Sequence, residues 1–175
     1  MDIFETIAKR HSYRGEFQNK PVPRADLEKI VQAAINAPSG CNAQTTSFVV
    51  VDDAKLIADI AKIFGDKPVC STAKAVIVCL TDATPAYGNT SFAREDCAAA
   101  VQNMLLAITA LGYATVWFQG YVQSNGNDQK IAELLGVPKN LRVEIVLPLG
   151  VPVTSELPRE KKPLTERVSF NQYGK

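Results

Sequence analysis

The sequence predicts a single domain of mixed α and β structure, and three observations support this. The chain has 175 residues, so it can bury a hydrophobic core without a disulfide or a metal. Apolar residues recur at helical spacing over residues 24–37, which predicts an amphipathic helix. The continuous apolar run from Ala75 to Leu80 is typical of a buried strand.

The other elements follow from the same patterns and from the residues that end them. Further helices are predicted at 2–9, 55–64, 91–111 and 128–135. Further strands are predicted at 47–51, 113–118 and 141–149, the last with alternating polarity. The helix at 91–111 is apolar nearly all round, so we expect it at the centre of the fold or in a dimer interface.

Composition argues against several classes of protein. The net charge of +1 gives no electrostatic footprint for nucleic acid or an anionic membrane. The longest apolar stretch, 97–118, is interrupted by Gln102 and Asn103, which favours a buried helix over a membrane span. Four cysteines without C-x-x-C spacing and one histidine make a zinc site improbable. With no apolar leader near the start, these features predict a cytoplasmic protein with reduced thiols.

Two guanidinium groups and a hydroxyl lie within five residues, at Arg10, Ser12 and Arg14. Arginine binds phosphate in bidentate fashion and serine adds a short hydrogen bond, so this cluster indicates an anion site. Taken in isolation, the same residues are also typical of an exposed helix end. The polar loop at 39–46 is rich in small residues and amides, which suits either close approach to a flat heterocycle or a plain connector.

The tail differs in composition from the rest of the chain. Residues 151–175 contain three prolines and a basic cluster, and have too little apolar content to fold alone. Val168, Phe170 and Tyr173 near the end favour a tail that wraps over a partner. The sequence therefore predicts one domain over 1–150 and a C-terminal extension over 151–175 that embraces a partner subunit.

Four segments, in this order, resemble signatures of the FMN-dependent nitroreductase family. Residues 10–14 resemble its R-x-S-x-R/K motif, and residues 37–44 its A-P-S-x-x-N-x-Q loop. Residues 96–112, followed by 117–120, resemble its long apolar helix and the strand that leads to a flavin-contacting turn. Residues 161–164 resemble its C-terminal basic-basic-P-L.

The resemblance implies an α+β fold with a central, largely antiparallel sheet flanked by helices. It also implies a homodimer with exchanged C-terminal tails, in which FMN lies at the interface and is contacted by both chains. The long apolar helix would pack across that interface. These expectations agree with the composition of the helix at 91–111 and of the tail.

The resemblance also implies a role for each residue of the first motif. Arg10 and Ser12 are placed at the phosphate and ribityl chain of FMN, and Arg14 near the pyrimidine edge of the flavin ring. A fixed cation at that edge would stabilise the negative charge that reduction leaves there. His11 could be taken for an acid or base, but as the single histidine beside a phosphate site it is interpreted as contributing its backbone or packing locally.

The remaining motifs complete the implied site. Four loop residues would contact the flavin from the partner chain: Pro38, Ser39, Gly40 and Asn42. Gln119 and Gly120 would lie near flavin N5. Lys161 or Lys162 would complete the phosphate site, with Arg159 as a third candidate.

The chain departs from the family pattern in the small loop. The usual loop continues Q-P-W, whereas here Gln44 is followed by Thr45 and Thr46. Loss of the proline loosens the loop, and loss of the tryptophan removes a large packing anchor, so the resemblance does not fix the exact path of the loop, although it still implies flavin binding. Cys41 is interpreted either as a thiol near the cofactor or, more commonly for a free cysteine, as a small filler residue.

The implied function is FMN-dependent reduction of a nitroaromatic, a quinone or a related acceptor by NADH or NADPH, through ping-pong hydride transfer. No side-chain nucleophile or metal is required, because the flavin carries the chemistry. The sequence has no G-x-G-x-x-G motif, which agrees with a nicotinamide that binds transiently. Two alternatives stay open: a non-catalytic flavin-binding protein for storage or sensing, and a flavin-free module that dimerises through its long helix.

Overall fold

A four-stranded sheet lies at the centre of the fold. The computed structural model describes residues 1–174. Its strands are β1 (Thr46–Val51), β2 (Ala75–Asp82), β3 (Ala114–Thr115) and β4 (Leu141–Gly150), in the order β1-β2-β4-β3. Each neighbouring pair is antiparallel. The predicted α+β fold with a largely antiparallel sheet is confirmed.

Seven α-helices accompany the sheet within the described residues. They are α1 (Ile3–Lys9), α2 (Arg24–Ile35), α3 (Ala54–Ile63), α4 (Pro68–Ser71), α5 (Ala93–Ala110), α6 (Asn127–Leu135) and α7 (Leu164–Arg167). Aspartates cap two of them: Asp2 accepts from Glu5 N at 2.8 Å, and Asp53 accepts from Leu56 N at 2.9 Å. The short α4 and α7 lie in segments where the sequence predicted no helix.

Helices cover both faces of the sheet. The helices α2 and α5 pack on one face, against alternate residues of β2 that include Ala75, Ile77 and Cys79. The helices α3 and α6 pack on the other face, against Val76 and Val78. Because helices cover both faces of β2, neither set of alternate side chains meets water. This explains why the sequence of β2 is continuously apolar.

Two strand predictions were wrong in detail. Residues 143–150 of β4 are all buried, so the predicted alternation is absent, because helices cover both faces of this strand. The predicted strand 113–118 is reduced to Ala114–Thr115 and an isolated bridge between Phe118 and Val146. The register places Pro148 opposite the gap in this ladder, and proline has no N–H to donate there.

Candidate functional site

The segment that follows α1 is held in place by a buried tyrosine. Tyr13 is fully buried, and its hydroxyl donates to Glu16 O at 2.6 Å and accepts from Val153 N at 3.2 Å. Its backbone N–H donates to Thr115 O at 2.9 Å. These bonds fix the segment between β3 and the start of the tail. A Cβ at Gly15 would lie 2.7 Å from the Tyr13 hydroxyl, so a side chain there would displace this anchor.

The first motif and the tail form one cavity. A cavity of about 310 Å³ is lined by Arg10, His11, Ser12, Arg14, Glu156, Leu157, Pro158, Arg159 and Lys161. Four cationic side chains and one carboxylate contribute to this wall, so its charge is strongly positive. Arg10, His11, Ser12 and Arg14 all line the cavity, whereas Tyr13 is turned into the core. The structure thus brings residues 10–14 and residues 156–161 to one strongly basic surface.

Two further cavities adjoin the basic cavity. One, of about 570 Å³, shares Arg10, Ser12, Arg159 and Lys161 with it and extends to the indole of Trp117. The other, of about 370 Å³, runs from Arg14 past Trp117, Gln119 and Gly120 to Ser124. Shared wall residues therefore connect the basic region to the turn that follows β3.

The tail residues divide into two groups. Arg159 and Lys161 line the basic cavity and its 570 Å³ neighbour. Lys162 lines neither of these cavities and instead lies 3.8 Å from Glu166, an exposed partner one turn along the tail. Of the three candidate cations, the geometry favours Arg159 and Lys161.

The only histidine is bonded locally. The Nδ1–H of His11 donates to Lys9 O at 3.0 Å, two residues earlier. The side chain lies in the wall of the basic cavity and is partly buried. The role of His11 toward a bound group stays a prediction.

The loop with the second motif lies apart from the basic cavity. Pro38 and Ser39 line a separate cavity of about 160 Å³ that shares no wall residue with the three cavities above. Gly40 and Asn42 belong to a short 3₁₀ turn next to it. Within one chain, therefore, the structure does not bring these four residues to the basic surface.

A buried aspartate holds this loop. Asp96, which is 5% exposed, accepts from Gly40 N and from the Thr45 hydroxyl, each at 2.8 Å. Cys41, Asn42 and Gln44 all have positive φ, between 52° and 56°, a backbone conformation that is uncommon for residues other than glycine. Thr45 and Asp96 thus provide an anchor in a loop that lacks the expected Pro-Trp pair. Asp96 was not recognised from the sequence, although it is an acidic residue in the first turn of an otherwise apolar helix.

Trp117 and Glu144, near the turn after β3, were not among the predicted site residues. Trp117 Nε1 donates to Gln119 Oε1 at 3.3 Å, and Gln119 Nε2 donates to Glu144 Oε1 at 3.1 Å. Glu144 is 1% exposed. The signal that could have found it is a single charged residue inside the apolar run of β4.

The four cysteines differ in their exposure to solvent. Cys70, Cys79 and Cys97 are buried, whereas Cys41 is exposed. Burial raises the pKa of the Cys70 thiol to about 12, which keeps it neutral. Within residues 1–174, no cluster of three or more histidine, cysteine, aspartate or glutamate side chains could hold a metal ion. None of the helices in this part of the chain is long and apolar enough to span a membrane.

Comparison with known proteins gives the family context of this site. A protein of Archaeoglobus fulgidus, provisionally named as an NADH dehydrogenase or NAD(P)H nitroreductase, is 32% identical over 151 residues, and the match covers 86% of each chain. The structure of nitroreductase A from Vibrio parahaemolyticus has a TM-score of 0.85 at 27% identity, covering 100% of this chain and 78% of that one. The structure of the NADPH:FMN oxidoreductase from Vibrio harveyi, complexed with NAD⁺, has a TM-score of 0.84 at 26% identity, with coverage of 99% and 78%.

The model of the nitroreductase family itself matches residues 7–84 and 64–151. These matches run from the end of α1 through β4 and contain the first motif, the small loop, the long helix α5 and the turn after β3. The chain therefore belongs to the nitroreductase family.

Proposed function

We propose that this protein is an oxidoreductase that binds FMN and uses NADH or NADPH to reduce a nitroaromatic, a quinone or a related acceptor. The observation that carries the proposal is the cationic cavity built from Arg10, Ser12, Arg14, Arg159 and Lys161. It continues into the Trp117–Gly120 region, as a site for a flat ring attached to a phosphate would. The names of the relatives from A. fulgidus and V. harveyi support the same chemistry.

The residues present fit FMN in charge and in shape. Arg10, Arg159 and Lys161 would hold the phosphate, and the Ser12 hydroxyl would bond the phosphate or the ribityl chain. Arg14 borders both the basic cavity and the 370 Å³ cavity that runs to Ser124, so it would stand at the flavin ring as a fixed cation. When bound, FMN supplies the redox chemistry by accepting two electrons from the nicotinamide and giving them to the acceptor.

The chain's own contribution is to bind and orient. Gln119 and Gly120 would form the wall where the nicotinamide and then the acceptor bind in turn, which is the arrangement that a ping-pong reaction needs. Val116 and Phe118 line the same cavity and would exclude water from one side of it. A shared site for donor and acceptor agrees with a nicotinamide that visits transiently.

We also propose that the complete site requires a homodimer. The Pro38–Asn42 loop is separate from the basic cavity of its own chain, so it would contact FMN held by the partner subunit. Every residue from 159 to 174 is exposed, including Leu164, Val168, Phe170 and Tyr173. Exposed apolar side chains near the end of the tail fit an extension over residues 151–175 that packs on a second copy.

The first experiment is to purify the protein, add FMN and record its visible spectrum and its FMN affinity. Arg10→Ala should weaken FMN binding by about tenfold or more, because it leaves a phosphate charge without a bonded partner. Arg24→Ala is the matched control, since Arg24 is exposed and pairs with Asp52 outside the site.

The second experiment measures oxidation of NADH and NADPH with a quinone or a nitroaromatic present. Steady turnover with parallel double-reciprocal plots would support the ping-pong reductase. A bound flavin that neither nicotinamide reduces would replace the reductase proposal by the storage or sensing alternative. Failure to bind FMN at all would overturn the cofactor assignment.

A further inference from the structure

Glu144 is a charged residue buried within β4, a position that apolar side chains usually occupy. Its side chain is only 2% exposed. In the pairing of β2 with β4, Cys79 lies opposite Ile145 and Leu80 lies opposite Val143, so Glu144 is the extra residue of a β-bulge. Bulges re-aim a side chain and are common next to functional sites. Here the bulge turns a carboxylate toward the turn that follows β3.

Two carboxamides converge on this carboxylate. Glu144 Oε1 accepts from Gln119 Nε2 at 3.1 Å and from Gln123 Nε2 at 3.0 Å. Arg94 Nε lies 3.4 Å from Oε1, and Arg142 Nε lies 3.7 Å from Oε2. The two guanidinium groups compensate the buried charge, and the two amides bond to Oε1, so the charge is not buried without partners.

The chemistry of these groups dictates which way the Gln119 side chain points. An ionised carboxylate only accepts hydrogen bonds, so the NH₂ of Gln119 must face Glu144. The carboxamide oxygen must then face the opposite way, where it accepts from Trp117 Nε1 at 3.3 Å. A neutral amide in place of Glu144 could either donate or accept, and it would allow both orientations of Gln119.

We propose that Glu144 is a positioning residue that fixes Gln119 with its oxygen, and not its NH₂, toward Trp117 and the cavity between Arg14 and Ser124. The effect of this orientation on catalysis rests on the proposed function, because that cavity is where the nicotinamide and the acceptor would bind. The orientation of Gln119 itself does not depend on the cofactor. A fixed acceptor next to the indole would hold both side chains in one arrangement for successive substrates.

The test uses the single tryptophan of the chain as a reporter. In the ¹⁵N-labelled protein, the indole N–H of Trp117 gives one NMR signal whose position and solvent exchange report its bond to Gln119. Glu144→Gln should shift this signal and speed its exchange by about tenfold, as Gln119→Leu should too, because both release the indole. Glu133→Gln, which neutralises an exposed carboxylate on α6, should leave the signal unchanged.

A second variant at the same position keeps the test valid if Glu144→Gln does not fold. Glu144→Asp keeps the buried charge between Arg94 and Arg142 but withdraws it by one methylene from Gln119, so it should also release the indole. An indole signal that responds to Gln119→Leu and stays unchanged in both Glu144 variants would overturn the inference, since Gln119 would then be oriented without Glu144.

Kinetics of the FMN-loaded protein test the consequence. Glu144→Gln should slow flavin reduction by NAD(P)H by about tenfold, and adding it to Gln119→Leu should cause no further loss, because directly coupled residues are non-additive. Additive losses would overturn the positioning role. If the wild-type protein shows no flavin reduction, the proposed function fails, while the indole experiment still decides the role of Glu144.

Discussion

At the scale of single residues, neighbouring lysines have different surroundings. Lys161 lines the basic cavity with Arg10, Ser12 and Arg159, whereas Lys162 lies beside Glu166 on the outer side of the tail. Both are exposed and carry the same charge. Only the direction of each side chain separates a residue that faces the basic cavity from one that faces water.

Lys161→Ala should weaken FMN affinity by about tenfold, which is the cost of one charge-assisted bond to phosphate. Lys162→Ala removes the same charge one position away, and affinity should stay within about twofold because exposed ion pairs contribute little. Fluorescence titration of FMN measures both. Equal losses in the two variants would show that net charge alone, and not contact, governs binding.

One threonine hydroxyl, in the half-buried first residue of β1, has no hydrogen-bond partner in the described part of its own chain. Among residues 1–174, Thr46 Oγ1 is the buried side-chain polar atom that has no hydrogen-bond partner. It lies at the start of β1, opposite Thr81 of β2. A buried hydroxyl without a partner loses its hydration and gains nothing in return.

Thr46→Val should therefore stabilise the protein by about 1 kcal/mol, since valine has nearly the same shape and no hydroxyl to desolvate. Urea unfolding monitored by circular dichroism gives the free energy of unfolding. Ser47→Val serves as a control, because Ser47 is exposed on the same strand. A loss of stability in Thr46→Val would indicate that the hydroxyl has a bonded partner in solution.

At the scale of elements, α5 organises the small loop as well as the core. Asp96 in its first turn binds Gly40 and Thr45, and the ring of Phe92 just before it occupies the space that a Cβ on Gly40 would fill. Polar bonds to a helix thus take over the anchoring that the Pro-Trp pair was expected to provide. The absence of that pair does not leave the loop unsupported.

Asp96→Ala should lower the free energy of unfolding by about 2–4 kcal/mol, because it leaves a backbone N–H and a hydroxyl without their charged acceptor. Asp59→Ala is the control, as it removes only ion pairs to exposed lysines on α3 and should cost under about 1 kcal/mol. Urea unfolding measures both. We also expect faster amide exchange at Gly40 in Asp96→Ala.

At the scale of the whole molecule, the surface carries apolar side chains that its own fold does not cover. Ile3, Phe4 and Ile7 on α1 are at least half exposed, and Phe170 and Tyr173 of the tail are 74% and 100% exposed. A protein with an ordinary net charge and this much exposed apolar surface is typical of an assembly of subunits. The tail and α1 are therefore the surfaces on which the proposed homodimer depends.

Phe170→Ser should weaken the dimer by at least about tenfold, because an aromatic anchor in an interface contributes about 2 kcal/mol or more. Tyr87→Ser is the matched control: Tyr87 is 73% exposed in the loop before α5, and the dimer should not change. Sedimentation velocity over a range of concentrations measures the dissociation. An unchanged dimer in Phe170→Ser would contradict an interface made by the tail.

The sequence by itself determined most of the elements and predicted the chemical type of the site. Helical and strand periodicity predicted five helices and the two central strands to within about two residues at most ends, since local burial patterns set them. The spacing of Arg10, Ser12 and Arg14 indicated an anion site, because the donors that bind an anion lie within five consecutive residues. What local pattern could not show was the break in the β3 ladder, which depends on Pro148 across the sheet.

Only the tertiary structure decided which distant residues meet. It placed Arg159 and Lys161 beside Arg10, which lies about 150 positions earlier in the chain. It turned Glu144 through a bulge toward Gln119, and it joined Asp96 to Thr45. The physical reason is that such contacts depend on register, bulges and loop paths. These are fixed by the packing of the whole core and leave no periodic signal in the sequence.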